Sequence, residues 1–424
     1  MSSPWAWRAR FRTRTYLRDS LWVLPLVCAV LGGLLGWGST LLDAAVAAPT
    51  WLQYEPGTAT TVLTTIAGAM VGLTGLVVTI GVVVVQQATS VLSPRFMRLW
   101  YRQPLQKVVL GTFAGTFSFA FSNLRRVEDG AVPDIGVTAA GLLCLGSLVL
   151  LLVYLDNFTQ HLRPVAVAAL VLTAGRRVAT TVDSPASRHT DVPVRTQDEP
   201  VRVVHACEAG VVQGIDHLGL LTIAHRHACV VELGYGVGTM VPLGAPLFTV
   251  HGGRAPRDAQ LTRCVVLGVE RTVDQDPAFA LRILVDIAVR ALSPAIHDPT
   301  TAVQVLDYIE LFLQSAALTP LHRTYVLVDD DGMPRVSIPG RTWEQHVELA
   351  LVEIRQVGGA DVQVCRRLAA LLDQLLATVP PANRAALEEH RSALAATVSR
   401  SFPEPDASER ASRPDRQGLG GTSP

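Results

Sequence analysis

The sequence predicts an α-helical membrane domain of four transmembrane helices with both termini cytoplasmic. A cytoplasmic α+β region follows, in which a small β module like a barrel-sandwich precedes a helical bundle. Three observations carry this prediction. The chain of 424 residues is 49% hydrophobic and only 17% charged, too apolar for a soluble protein of its length. The apolar excess lies almost entirely before residue 156. After residue 200 short β-branched runs alternate with glycines, and then helical periodicity takes over.

A helix needs about 20 apolar residues to cross a hydrocarbon core of ~30 Å. Four runs qualify: Leu21–Leu42, a stretch within Pro56–Pro94, Val108–Leu124 and Ile135–Leu155. The basic start of the chain leads into a run without a clear cleavage site, so it reads as a retained span. Cationic residues set the orientation. Arg8, Arg10, Arg12, Arg14 and Arg18 precede the first span, and the loop after it holds Asp43 and Glu55. Arg95, Arg98, Arg102 and Lys107 lie between the second and third spans, and Arg163, Arg176 and Arg177 follow the fourth. The expected location is the inner membrane, with the bilayer as a partner.

The second span sits in 39 uncharged residues, several turns more than a bilayer needs. With Trp51 and Tyr54 near the outer interface, the surplus projects inward and ends at Ser93-Pro94. Thr61, Thr65, Gly68, Gly72, Gly75 and Thr79 share one face of this span. The opposite face, with Ile66, Leu73, Val77, Ile80 and Val84, is expected to meet lipid. The third span repeats the device with Gly111, Gly115, Ser118 and Ser122. Two readings stay open. Small residues let helix backbones pack closely, the two seams closing on each other or on another copy. Alternatively the threonine- and glycine-bearing face lines a narrow aqueous path in a homo-oligomer. No Asp, Glu, Lys, Arg or His lies in the core of any span, which argues against a proton-coupled carrier or a voltage sensor.

The division expected along the chain is a four-span domain over 1–160, then a juxtamembrane helix and linker over 161–200. A β module over 201–260 follows, then a mostly helical domain over 261–400 with a hairpin near 325–338, and a disordered tail over 401–424. The piece GVGTMVPLGAPLFTV reads as strand, turn at Leu243-Gly244, strand, similar to half of a lipoyl- or biotinyl-type domain. The module has no lysine to carry such a cofactor, so none is expected. His225, His227 and Cys229 would share a face if they lay on a strand, with His217 nearby, but no fourth metal ligand has recognisable spacing. The six cysteines form no CxxC pair. Net charge is zero, and no nucleic-acid partner is expected.

Asp276-Pro277 and Asp298-Pro299 read as helix starts, with Asp as cap and Pro at the first helical position. The helices are expected over Pro277–Leu292 and from Pro299 to about Gln314. Arg282, Asp286 and Arg290 form a ladder on the first of them. Ser293-Pro294 stops it, leaving a proline-framed corner that includes His297. No nucleophile, base and orienting group gather there, no phosphate loop appears elsewhere, and the chain is not expected to be an enzyme. Three further helices are expected over Trp343–Val357, Asp361–Thr378 and Ala382–Arg400.

The stretches RALSPAIHDPTTA and SVLSPRFMRLWYRQPLQKVVLGTFAGTFSFAFSNLRR resemble the bacterial predicted membrane proteins grouped as domain of unknown function 2254. The resemblance runs from the first span to about Leu372. It implies a membrane location and this domain order, and no established activity. Members usually carry Asn at the position of His297. The function expected is a homo-oligomeric channel-like pathway for ions or small solutes with a cytoplasmic gating or assembly domain. The alternative is a non-conducting, membrane-anchored interaction or sensor protein.

Overall fold

The computed structural model describes residues 4–45, 49, 52–91, 104–128, 132–161, 168–169, 171–175, 199–319 and 321–419. Several sequence expectations fall outside them: Trp51, the Ser93-Pro94 stop, the cations Arg95, Arg98 and Arg102, the cations Arg163, Arg176 and Arg177, and nearly all of the 183–200 linker. The chain divides into two compact units, residues 15–163, and residues 1–14 together with 164–424.

A helix that the hydropathy pattern does not announce opens the chain: α1, Pro4–Asp19. Each of the four apolar runs is then helical, as α2 (Val23–Ala45), α3 (Pro56–Val91), α4 (Pro104–Glu128) and α5 (Asp134–His161). Two of these are long and apolar enough to cross a bilayer by themselves, over Pro56–Val83 and Asp134–Asn157. The pair Trp7–Asp19 and Val23–Ser39, bent by 80°, makes a third if taken as one broken span. Helix α4 is diluted by Gln106, Lys107, Thr116, Ser118, Ser122 and Asn123, several of which are buried against other helices. At 36 residues α3 is about 54 Å long, well beyond a hydrocarbon core of ~30 Å.

The interior of this unit is built from bulky side chains. Ala59, Leu63, Ile66, Met70 and Val77 of α3 are buried with Phe113, Phe119 and Ala120 of α4 and Val137, Ala140, Leu151 and Tyr154 of α5. The expectation that the bulky face of α3 meets lipid is therefore overturned. Ile66 and Val77 are buried, and Leu73 and Ile80 are half-buried against the same core. The side chain of Val84 lies outside the described set. In a membrane the protein interior and the lipid tails are equally apolar, so hydrophobicity cannot say which face turns inward. Polar groups pin the ends: the Tyr54 N–H donates to Asp134 Oδ1 at 2.8 Å, and the Tyr54 hydroxyl lies 3.2 Å from that of Thr138.

Among its described residues the second unit contains two open sheets and no closed barrel. Strands β1 (Arg202–His205), β2 (Gly210–Ile215), β3 (Val230–Leu233), β4 (Met240–Val241), β5 (Pro246–His251) and β6 (Val265–Gly268) come first; β7 (Thr324–Val328) and β8 (Pro334–Pro339) follow much later. The five-stranded sheet has the order β1-β5-β3-β8-β7, antiparallel except for the parallel pair β3–β8. The three-stranded sheet is β4-β2-β6. Two expectations are corrected here. The hairpin near 325–338 belongs to the main sheet and not to the helical part. The strand–turn–strand piece does turn at Gly244 (φ +75°), but β4 and β5 enter different sheets. The chain at Ala206 separates them, accepting from Gly244 N–H and donating to Ala245 O. Phe248, Val231, Leu220 and Val336 fill the core below.

The longer helices of the unit are α6 (His217–Arg226), α7 (Pro277–Ala291), α8 (Pro299–Ala317), α9 (Trp343–Gly358), α10 (Val362–Thr378), α11 (Arg384–Ser401) and α12 (Pro405–Ser412). Asp276 and Asp298 cap α7 and α8, accepting from Phe279 N–H and Thr301 N–H at 3.0 Å each, with Pro277 and Pro299 at the first helical positions. Ile283, Leu284 and Ile287 of α7, Leu306, Ile309 and Leu313 of α8, Val347 and Ile354 of α9 and Leu371 and Leu375 of α10 are fully buried. The tail expected to be disordered is partly helical. Ala411 of α12 is fully buried, Arg366 Nε of α10 donates to Arg410 O at 2.6 Å, and Asp415 N–H donates to Arg366 O. Composition registers the polar residues of this segment but not the partners that α10 offers them.

Candidate functional site: the small-residue faces of the membrane unit

The two small-residue seams have different fates. On α4, Gly111 and Gly115 face α2. A Cβ added at Gly111 would lie 2.9 Å from Cys28 Sγ, and one at Gly115 would lie 3.1 Å from Cys28 O. The partner stripe on α2 is Cys28, Gly32, Gly36 and Ser39. A Cβ at Gly32 would stand 2.1 Å from Gly115 O, and one at Gly36 would stand 2.8 Å from both Phe119 O and Ser122 Cβ. A Cβ at Gly32 or Gly36 would strike the α4 backbone, so the contact is a small-residue zipper. Ser118 is half-buried on the same helix. Asn123, fully buried, closes the zipper: Ser39 Oγ donates to its Oδ1 at 3.0 Å, and its amide donates to Phe119 O at 3.0 Å. The α2 half of the seam was legible in the run GGLLGWGS but is masked by the hydropathy of the span.

On α3 the opposite holds. Thr61, Thr65, Gly68, Gly72, Gly75 and Thr79 are all exposed. A Cβ added at Gly68, Gly72 or Gly75 would meet nothing within 4 Å among the described residues. The threonine hydroxyls are satisfied locally: Thr61 donates to Gly57 O, Thr65 to Thr61 O and Thr79 to Gly75 O, at 2.7–2.9 Å. Such back-bonded hydroxyls leave lone pairs turned outward, able to accept from water or to coordinate a cation. The buried stripe 59-63-66-70-77 is offset by two residues, about 200° around the helix. The smooth face thus points away from the protomer core. The two seams do not close on each other, because the α4 seam is occupied by α2.

The proline-framed corner lies in the second unit. Asp298 N–H donates to Ala291 O at 2.8 Å, and His297 N–H donates to Ser293 O at 2.9 Å. Ser293 is half-buried and Pro294 exposed. His297 is exposed with φ +47°, a left-handed conformation that Asn adopts more readily than His. That conformation gives the position a backbone role. The carboxylate of Asp298 is committed to capping, also accepting from the Thr301 hydroxyl at 2.5 Å.

The histidine and cysteine alternation does not form a strand face. His225 lies in the last turn of α6, Ala228 turns at φ +50°, and Cys229 is buried. Burial pushes the Cys229 thiol up and that of Cys264 up to about 12, so neither favours the thiolate that binds metal. His225 lies instead near Asp329 and Asp331, their potential ligand atoms within 4.8 Å of one another. Burial raises the Asp329 carboxyl, but hydrogen bonds from Arg335, His225 and Met333 N–H outweigh it and hold the group well below the usual carboxylate range. Arg335 Nε sits 2.7 Å from Asp329 Oδ2, so a guanidinium already neutralises this carboxylate. This donor set does not suit a metal ion.

A cleft of about 270 Å³ is lined by Asp307, Glu310, Leu311, Arg367, Gln374 and Arg416. Arg367, 3% exposed, reaches Asp307 at 2.8 Å and Glu310 at 2.6 Å, so its charge is matched by two carboxylates and ties α10 to α8.

Uncharacterised proteins of Mycobacterium tuberculosis and Mycobacterium bovis are each 29% identical to this chain, covering 93% of it and 79% of their own length. No solved structure matches. A family model covers residues 18–374, and the chain belongs to the family described as predicted membrane protein, DUF2254.

Proposed function

We propose that this membrane protein assembles as a homo-oligomer around α3 and forms a pathway for ions or small solutes, with the C-terminal domain as gate or assembly platform. In this reading four helices span the inner membrane, α4 included, and both termini are cytoplasmic. One observation carries it: α3 turns its bulky stripe into the protomer and leaves its threonine- and glycine-bearing stripe open. A smooth stripe facing acyl tails gains little, whereas one facing water or another copy has a use. The reading assigns the chain no enzymatic chemistry and no resident cofactor.

Replacing Gly68, Gly72, Gly75 and Thr79 singly by Cys, in a Cys207→Ser background, tests it. A water-filled lining predicts reaction with charged thiol reagents at successive turns and solute flux from proteoliposomes. Silence toward charged reagents, with disulfide cross-links between copies, favours the non-conducting anchor or sensor. Silence without cross-links removes both readings.

A further inference from the structure

We infer that α1 is an interfacial helix whose cationic face binds the anionic phospholipid headgroups of the leaflet where α2 begins. Helix α1 carries Arg8, Arg10, Arg12, Arg14 and Arg18 against a single acid, Asp19. It does not continue into α2, because the two helices are bent by 80° at a break of a few residues. That corner is built. Lys107, the one lysine of the chain and 7% exposed, places its ammonium on the last-turn carbonyls of Leu17 and Arg18. A cation there satisfies orphan carbonyls and the negative end of the helix dipole together.

The cations divide by side. Arg8 and Arg12 approach Glu208 at 3.4 and 3.9 Å. Arg10, Arg14, Leu17 and Arg18 share another face, at i, i+4, i+7 and i+8, and all four are exposed. Tyr16, Leu17 and Trp22 are exposed about the same corner, at 57%, 49% and 57%. Rings with one polar end beside arginines are the composition of a helix lying at the headgroup level. The chain enters the apolar α2 at Val23, so the last turn of α1 stands at the edge of the apolar layer. The partner that supplies many negative charges at that depth is the lipid itself.

The test uses full-length protein in nanodiscs of phosphatidylcholine, with and without phosphatidylglycerol. A nitroxide at Thr13→Cys, in a Cys207→Ser background, reports depth through its accessibility to a water-soluble nickel chelate. Spin-labelled phosphatidylglycerol reports association. The expected result is lower nickel accessibility when phosphatidylglycerol is present, reversed by raised salt. Association of the labelled lipid should weaken about fivefold for each arginine removed in Arg14→Gln and Arg18→Gln. Arg14→Lys and Arg18→Lys should keep it. Equal accessibility in both lipids, or association unchanged by the Gln variants, overturns the proposal. Should the double Gln variant fail to assemble, the single Arg14→Gln variant carries the same prediction.

Discussion

The α2–α4 seam and the α3 stripe are both built from small residues three and four apart, yet one is filled and the other is open. Between α2 and α4 the backbones approach until Gly32 and Gly115 leave no room for a methyl group. On α3 three glycines in register each leave open space around an added Cβ among the described residues. Spacing therefore identifies a smooth face, but only the surface opposite gives it a meaning. The filled seam holds the protomer together. The open one meets nothing at its glycines among the described residues, and the proposed assembly would give it a partner.

The largest expected effect comes from breaking the filled seam. Gly32→Leu would drive a branched side chain into the Gly115 backbone, and one of the two helices must move. The expected cost is at least about 3 kcal/mol, above the usual range for overpacking because the obstacle is main chain. Thermal unfolding in detergent checks it, with a large drop in midpoint or loss of the folded protein. A midpoint near that of the wild type would mean that α2 and α4 are not zipped.

Removing the polar pin should cost less. Asn123→Ala deletes the acceptor of the Ser39 hydroxyl and the amide bonded to Phe119 O. Interhelical hydrogen bonds in membranes are worth about 1 kcal/mol, so a loss of roughly 1–2 kcal/mol is expected. Ser39→Ala should cost only about 0.5 kcal/mol, because Asn123 keeps its bond to Phe119 O. Equal losses for the two variants would show that Asn123 acts through Ser39 alone.

Local signals were legible and non-local ones were not. The Asp-Pro pairs at 276 and 298 state their helix starts within two residues, because a cap and a ring-fixed φ act on the adjacent backbone. The placement of the 324–339 hairpin beside β3 was not legible, since a parallel pairing of Val231 with Val336 leaves no local trace. The α3 stripe was legible as a stripe, but its inward or outward sense was not, for the polarity reason already given. The α2 stripe is hidden in the sequence because its glycines are interleaved with Leu34, Leu35 and Trp37, so the span reads as uniformly apolar. Helix α1 is hidden because its arginines read as an orientation signal and not as a helix face. His225 could be singled out, but not its partner Asp329, about a hundred residues away and brought near by the pairing of β3 with β8.

The smallest effect on the protomer is also the one that sharpens the contrast most. Gly72→Leu starts into open space, where its Cβ meets nothing within 4 Å in the described protomer. Relief of helix glycine should offset any strain, so unfolding in detergent is expected to shift by no more than about 0.5 kcal/mol. The consequence should appear between copies. If the stripe packs on another α3, the added bulk separates the backbones, and single-molecule subunit counting in liposomes should show dissociation. If it lines a path, the assembly should persist with reduced solute flux. A variant that unfolds like Gly32→Leu would place another element of the same chain against α3, and the distinction between a filled and an open seam would disappear. A variant unchanged in stability, assembly and flux would leave the stripe facing lipid. Its register would then serve only the glycine and threonine content of a long helix, and the case for assembly through α3 would fall.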